Sequence, residues 1–248
     1  MTLFWHQLRA EQLTFWRSRE AAIFVFLLPV LLYVLLASVY DGTVDGHDAK
    51  SYLLVGMLGY GVAGTAFGGL AIFLVLRREA GILKRIRATP LPARTYLAAV
   101  LSSSLVAYAL QAVVLAAVAV VLFGAKGPKD TLGVAVMLVV GALVFAALGV
   151  GAAGIIRSAE GASPVVNVII LPMAFLSGSF GPPGDYPEVL EAIGKLLPLR
   201  HFLELVGGAY LDGRTILRDP SSWAVLAAWA VGGVVVAWRT FGWAPRAR

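Results

Sequence analysis

Six stretches of the chain stay apolar long enough to cross a bilayer: residues 22–40, 52–76, 96–123, 132–156, 164–180 and 221–238. A ~30 Å hydrocarbon layer asks for about 17–25 such residues per helix. Polar residues gather between these runs in loops, and a backbone in lipid must satisfy its own hydrogen bonds. The pattern therefore predicts an all-α polytopic membrane protein with six transmembrane helices, forming one unit over residues 1–248.

Two further stretches are amphipathic. In residues 1–21, Phe4, Leu8 and Phe15, flanked by Trp5 and Trp16, share a helix with Arg9, Glu11, Arg17, Arg19 and Glu20. That pattern suits an interfacial helix on the cytoplasmic side, with an exposed lead-in as the plainer alternative. A signal peptide is disfavoured, because the apolar run exceeds ~7–15 residues and five more spans follow. In residues 181–219, Val189, Leu190, Ile193, Leu196 and Leu197 oppose Glu188, Glu191 and Lys195. After Pro198 come Phe202, Leu203, Leu205 and Val206, mixed with Arg200, His201 and Glu204. These pieces are too charged to span and too apolar for a free loop, so an outer-leaflet helical hairpin is expected between spans 5 and 6.

Prolines and glycines refine the spans. Pro29 predicts a kink in the first. Pro164 marks the start of the fifth and Pro172 interrupts it, leaving a segment barely long enough to cross. Asn167 needs a protein or water neighbour there. An interhelical hydrogen bond is the first expectation and contact with cargo the second, with Phe175 and Ser177 as further pathway candidates. Gly56, Gly59, Gly61, Gly64, Gly68 and Gly69 crowd the second span. The Gly64/Gly68 pair fits close packing within the chain or against a second copy. Gly149, Gly151 and Gly154 spell GxGxxG inside an apolar run with no strand before it, which makes them a packing surface and not a dinucleotide site.

Composition agrees: 59% of residues are hydrophobic and 14% charged, against about 25% charged in soluble domains. The absence of cysteine excludes disulfides and thiolate chemistry. The net charge of +6 concerns the membrane faces and not nucleic acid. Placing both termini in the cytoplasm puts 13 of the 20 basic residues there, as the positive-inside rule requires.

Catalytic chemistry is sparse. His6, His47 and His201 fall on separate segments, so they share no metal site. Asp41, Asp45 and Asp48 beside His47 read as a solvated turn. Ser102, Ser103 and Ser104 lack a nearby base, so a lipid-modifying enzyme is a weak alternative, as is a passive channel or scaffold. No span carries a charge in its middle, which argues against proton-coupled transport. There is no Walker A pattern, so if ATP drives this protein, ATP and Mg belong to a partner subunit.

The most informative loop is 77–95, with Arg77, Arg78, Lys84, Arg85, Arg87 and Arg94 against Glu79. A helix over residues 79–89 is expected, with Ile82 and Ile86 on one face and Leu83 close by, stopped by Pro90 and Pro92. An amphipathic helix of this kind can dock into a partner's groove. The run REAGILKRIRATPLP, through Glu79, Gly81, Leu83, Lys84, Arg85, Arg87, Thr89 and Pro90, resembles the loop after the second span in membrane subunits of type-2 ABC (ABC-2) exporters, in their drug- and antibiotic-resistance branch. Ile82 stands where that family commonly has threonine, and Arg77 where it has an acid. The FLSG at 175–178 and the LLPL at 196–199 are similar to that family's outer hairpin.

The resemblance implies a permease subunit of the bacterial cell membrane that is not itself an enzyme. It implies a cytoplasmic coupling helix between spans 2 and 3, with Glu79, Gly81, Ile82, Leu83, Lys84, Arg85, Ile86 and Arg87 docking on a separate ABC ATPase subunit. It also implies a second copy or a homologous permease as partner, membrane lipid as surroundings, and export of amphipathic, drug-like or lipid-like cargo.

Overall fold

The computed structural model describes residues 2–182 and 186–245. The turn at 183–185 within the expected outer hairpin, and Arg246 and Arg248 of the inner-face basic set, lie outside them. Among the described residues, six helices are long and apolar enough to span. The helices are α1 (Thr2–Arg17), α2 (Arg19–Val39), α3 (Ala49–Val62), α4 (Leu70–Glu79), α5 (Ile82–Arg87), α6 (Ala93–Phe123), α7 (Thr131–Ile155), α8 (Ala159–Ser177), α9 (Glu188–Leu196), α10 (Pro198–Gly207) and α11 (Pro220–Thr240). A π-helical segment, Ala63–Gly69, joins α3 to α4 into one long second span. The spans are then α2, α3 to α4, α6, α7, α8 and α11, and the chain is a multi-pass membrane protein.

The second span is the centre of the bundle. Within its apolar window 72% of residues are buried, against 17% for the sixth. Its glycines explain how: a Cβ on Gly56 would lie 2.2 Å from the Ser179 carbonyl, one on Gly59 2.5 Å from Leu203, and one on Gly68 2.7 Å from Ile170. Gly68 therefore packs within the chain, whereas a Cβ on Gly64 meets nothing, which splits the GxxxG pair. On the fourth span, Gly149 faces the Phe67 carbonyl, Gly151 faces Gly233 and Gly154 faces Thr240. The GxGxxG run is a packing surface, as its apolar setting requires.

Several polar groups inside the bundle are paired across spans. Pro29 has no N–H to give the Val25 carbonyl four residues earlier. Gln111 Nε2 of the third span donates to that carbonyl at 2.8 Å, while Gln111 Oε1 accepts from Thr65 Oγ1 at 2.9 Å. The Tyr108 hydroxyl donates to the Leu58 carbonyl at 3.0 Å. Gln111 is 2% exposed. One amide thus closes the gap that the proline opens in lipid, where an unpaired carbonyl is costly.

Two boundaries differ from those read in the sequence. The second span runs on to Glu79 instead of ending at 76. The fifth begins at Ala159 and not at Pro164, because Ser158 Oγ accepts from the Gly161 amide at 3.1 Å and starts the helix a turn earlier. Pro164 then removes a donor only from the Glu160 carbonyl near the exposed helix end. Within the loop 41–51 lies a two-strand hairpin, β1 (Thr43–Val44) with β2 (His47–Asp48); Asp41 and Asp45 are exposed, as a solvated turn has them, whereas His47 and Asp48 are half-buried. Asp48 caps the second span by accepting from the Ser51 amide at 2.9 Å, and His47 Nε2 lies 2.7 Å from Asp212 Oδ1.

The segment between spans 5 and 6 divides by burial. In α10, Phe202 fits against Gly141 and Phe145, and Leu199 and Leu203 against Gly59, so this helix is inserted in the end of the bundle opposite α5. In α9, Val189, Ile193 and Leu196 stay 43–70% exposed, an apolar face that suits the headgroup region. Asp219 then caps the sixth span. Hydroxyl bonds from Ser221 and Ser222, followed by their amides, hold its carboxyl down at about 2 from the ordinary 3.8. A depressed carboxylate stabilises the fold fully above its unfolded value, and the effect is lost as pH falls through the folded one. The wild type should therefore melt above Asp219→Ala by the few degrees that a ~1 kcal/mol cap gives near neutrality. That margin should shrink between about pH 4 and about pH 2; a margin constant across the range would exclude the ionised cap.

Candidate functional site

The end of the second span gathers three polar residues that tie it to four other elements. Arg77, Arg78 and Glu79 occupy the last turn of α4, and each side chain leaves in a different direction. Arg77 reaches the N-terminal helix and the third span: its NH1 donates to Glu11 Oε1 at 2.8 Å and to the Tyr96 hydroxyl at 3.0 Å. Its guanidinium also stacks 4.0 Å above the Phe73 ring. Glu11 is 3% exposed and receives a second bond from Gln7 Nε2 at 2.6 Å. The next residue, Gln12, donates through Nε2 to Ser103 Oγ at 2.9 Å, which gives the central serine of the 102–104 cluster a part in helix packing.

Arg78 is 1% exposed and turns the opposite way. NH1 donates to the Ala153 carbonyl at 2.5 Å and NH2 to the Ile156 carbonyl. These carbonyls belong to the last turn and cap of the fourth span, where no intrahelical donor remains. A guanidinium there also meets the negative end of the helix dipole. Glu79 Oε2 accepts from the Ala159 amide at 2.7 Å, the first N–H of the fifth span, the mirror arrangement of an acid at a positive helix end. Three consecutive residues thus fasten one helix end to the first helix and to the third, fourth and fifth spans.

The chain then turns. Ala80 ends α4, and Gly81 takes the left-handed conformation at φ 70, which glycine adopts without strain. This breaks the helix expected over 79–89 into the end of α4 and the six-residue α5. Thr89 Oγ1 closes α5 by donating to the Ile86 carbonyl at 2.6 Å. Across α5 the side chains separate by exposure. Leu83 is fully buried, and Ile86 and Leu91 pack partly against the core. Ile82 is 39% exposed, and Lys84, Arg85 and Arg87 are all exposed. Leu83 therefore does not join Ile82 on a free face, because the break at Gly81 rotates the helix and sends Leu83 into the bundle.

The candidate pathway residues lie apart from this junction. Ser163, Asn167, Leu171 and Phe175 recur every four residues along α8 and form one exposed stripe. Asn167 Nδ2 donates to the Ser163 carbonyl at 3.0 Å, so its bond is intrahelical and not the interhelical one expected. Phe175 leans on Phe180 with ring centroids 4.7 Å apart. Ser177 is on another face, 7% exposed, with no hydrogen-bond partner for its hydroxyl among the described residues.

The sequence pattern puts Arg77 and Arg78 in the basic loop 77–95 and Glu11 on the polar face of an interfacial helix, with no bond between them, and gives Tyr96 and Gln111 no part. A signal existed for the arginines. An uninterrupted helical run through Leu76 carries the next two residues into the same turn, ahead of the glycine.

Among known proteins, the family described as ABC-2 type transporter matches residues 2–211. The protein named "Putative transport permease YvfS", from Bacillus subtilis (strain 168), is 29% identical over 219 residues, covering 84% of this chain and 87% of that protein.

Proposed function

The chain belongs to the ABC-2 type transporter family and is a transport permease subunit, and from that premise we propose that it exports amphipathic, drug-like or lipid-like cargo using ATP hydrolysed by a separate ABC ATPase subunit. The observation that carries the proposal is α5. It is a short helix with exposed Ile82, Lys84, Arg85 and Arg87, attached rigidly to the bundle by Leu83 and by the side chains of the preceding turn. A partner pressing on its outer face moves the end of the second span, and with it the helix ends that Arg77, Arg78 and Glu79 hold. Coupling of this kind is rigid-body movement across packed interfaces.

The distribution of basic residues supports both termini and α5 on the cytoplasmic side of a bacterial cell membrane. ATP and Mg act in the partner. The exposed stripe with Asn167 supports a second copy, or a homologous permease, across the pathway. An amide at that height in a spanning helix favours protein or water over lipid.

The test is Ile82→Glu in the complex reconstituted with its co-expressed ATPase subunit. Ile82 is open to solvent, so the fold and melting temperature should stay unchanged. Transport per ATP hydrolysed should fall at least about tenfold, the effect of losing roughly 1.4 kcal/mol of contact at a docking face. Unchanged coupling in a well-folded variant would remove α5 from the interface.

A further inference from the structure

We propose that the crevice between the inner halves of spans 4 and 6 and the middle of span 5 is a binding site for an anionic phospholipid, with one acyl chain in the crevice and the phosphate held by Arg157 and Arg239. The crevice encloses about 220 Å³. Ile169 and Met173 of the fifth span form one wall, Gly232 and Val236 of the sixth the other, and Phe145 and Ile155 of the fourth lie along its floor. No charged side chain lines it.

Its length identifies the occupant. Phe145 to Ile155 is ten residues of helix, about 15 Å at 1.5 Å per residue. That is one leaflet of a ~30 Å hydrocarbon layer. The crevice thus runs from mid-bilayer to the surface on the side of both termini, the span of a single acyl chain.

The chemistry at its mouth completes the site. Arg157 follows two residues after Ile155, and Arg239 follows one helical turn after Val236. Both are exposed, and neither takes part in an ion pair among the described residues. Trp238, 84% exposed, stands beside Arg239, and tryptophan at that position marks headgroup level. The acids near it are Glu160 at the start of the fifth span and Glu79, whose carboxylate is held on the Ala159 amide at 2.7 Å; neither forms an ion pair with Arg157 or Arg239 among the described residues, so both guanidiniums keep their donors for a ligand. Two guanidiniums over an apolar slot one leaflet deep match a phosphodiester on an acyl chain. A neutral lipid would leave the arginines without a counter-charge.

The permease chain alone, in bilayers of equal phosphatidylglycerol and phosphatidylcholine, is extracted into mild detergent and its retained lipid measured by native mass spectrometry. The wild type should retain about one phosphatidylglycerol per chain in preference to phosphatidylcholine. Arg157→Gln with Arg239→Gln should weaken that preference roughly thirty-fold, given the attraction each basic residue adds near an anionic lipid. Gly232→Leu fills the slot from a position where a Cβ meets nothing within 4 Å. It should abolish retention of both lipids while leaving the melting temperature unchanged. Equal retention of the two lipids by the wild type would overturn the site, as would phosphatidylglycerol held undiminished by Gly232→Leu or a second chain in place of lipid. The ATPase subunit is absent from the measurement, so its failure would leave the permease reading standing.

Discussion

Replacing Arg78 with methionine is expected to lower the melting temperature of the purified chain by about 10 °C and to cut the yield of monodisperse protein severely. The guanidinium is 1% exposed and closes the end of the fourth span through Ala153 and Ile156. Hydrogen bonds to a charged group are worth about 1.5–3 kcal/mol each. Losing two strands two carbonyls in an interior without water, a net cost of about 3–5 kcal/mol. For a chain of this size each kcal/mol shifts the transition by roughly 2–4 °C. Arg78→Lys separates charge from geometry, since an ammonium keeps the charge but not the planar fork that reaches both carbonyls. It should recover less than half of the loss. A lysine variant melting with the wild type would show that charge at the helix end is enough, and a methionine variant within about 2 °C of it would remove Arg78 from the list of structural ties.

The six spans were legible because each is a long apolar run, and the fold needed no more than that to be placed. Helix junctions were harder, since apolarity stops before the helix does. Leu76 ends the apolar run, yet Arg77, Arg78 and Glu79 complete the turn, the two arginines directed into the protein and the exposed Glu79 reaching the start of the fifth span. Loop reading by charge cannot tell an inward arginine from an outward one, because the carbonyls that receive it lie 75 and 78 residues away. Pro29 could be read as a kink, but the bond from Gln111 to the Val25 carbonyl, across 86 residues, could not. His47 shows the same limit, for its partner Asp212 belongs to the far hairpin. Local pattern gave the elements, and pairing over long sequence separations set their attachments. Leu83 was misdirected for a smaller reason: Gly81 was read as a residue within a helix when its positive φ makes it the break.

The Glu11–Arg77 pair allows a sharper test, in which the order of the variants carries the argument. Arg77→Met should destabilise by about 3–5 kcal/mol, because it leaves the Glu11 carboxylate buried without its counter-charge. Glu11→Gln should cost less. Arg77 would keep the Tyr96 hydroxyl and the Phe73 ring, and glutamine still presents an oxygen to the guanidinium. Combining Glu11→Met with Arg77→Met removes both charges at once, and apolar replacements of a buried pair are often close to neutral. The double variant should therefore be more stable than Arg77→Met alone, with a coupling energy of about 2 kcal/mol or more. The same pair anchors α1, so Arg77→Met should also free that helix. Protease cleavage near Ser18 and a changed emission from Trp5 and Trp16 would report its release. Transport coupled to the ATPase should then fall more than melting does, since a loose first helix no longer follows the second span. Additive stabilities across the cycle would mean that the two charges do not act as a pair, and an undisturbed α1 in Arg77→Met would assign its docking to Gln12 and Ser103 instead.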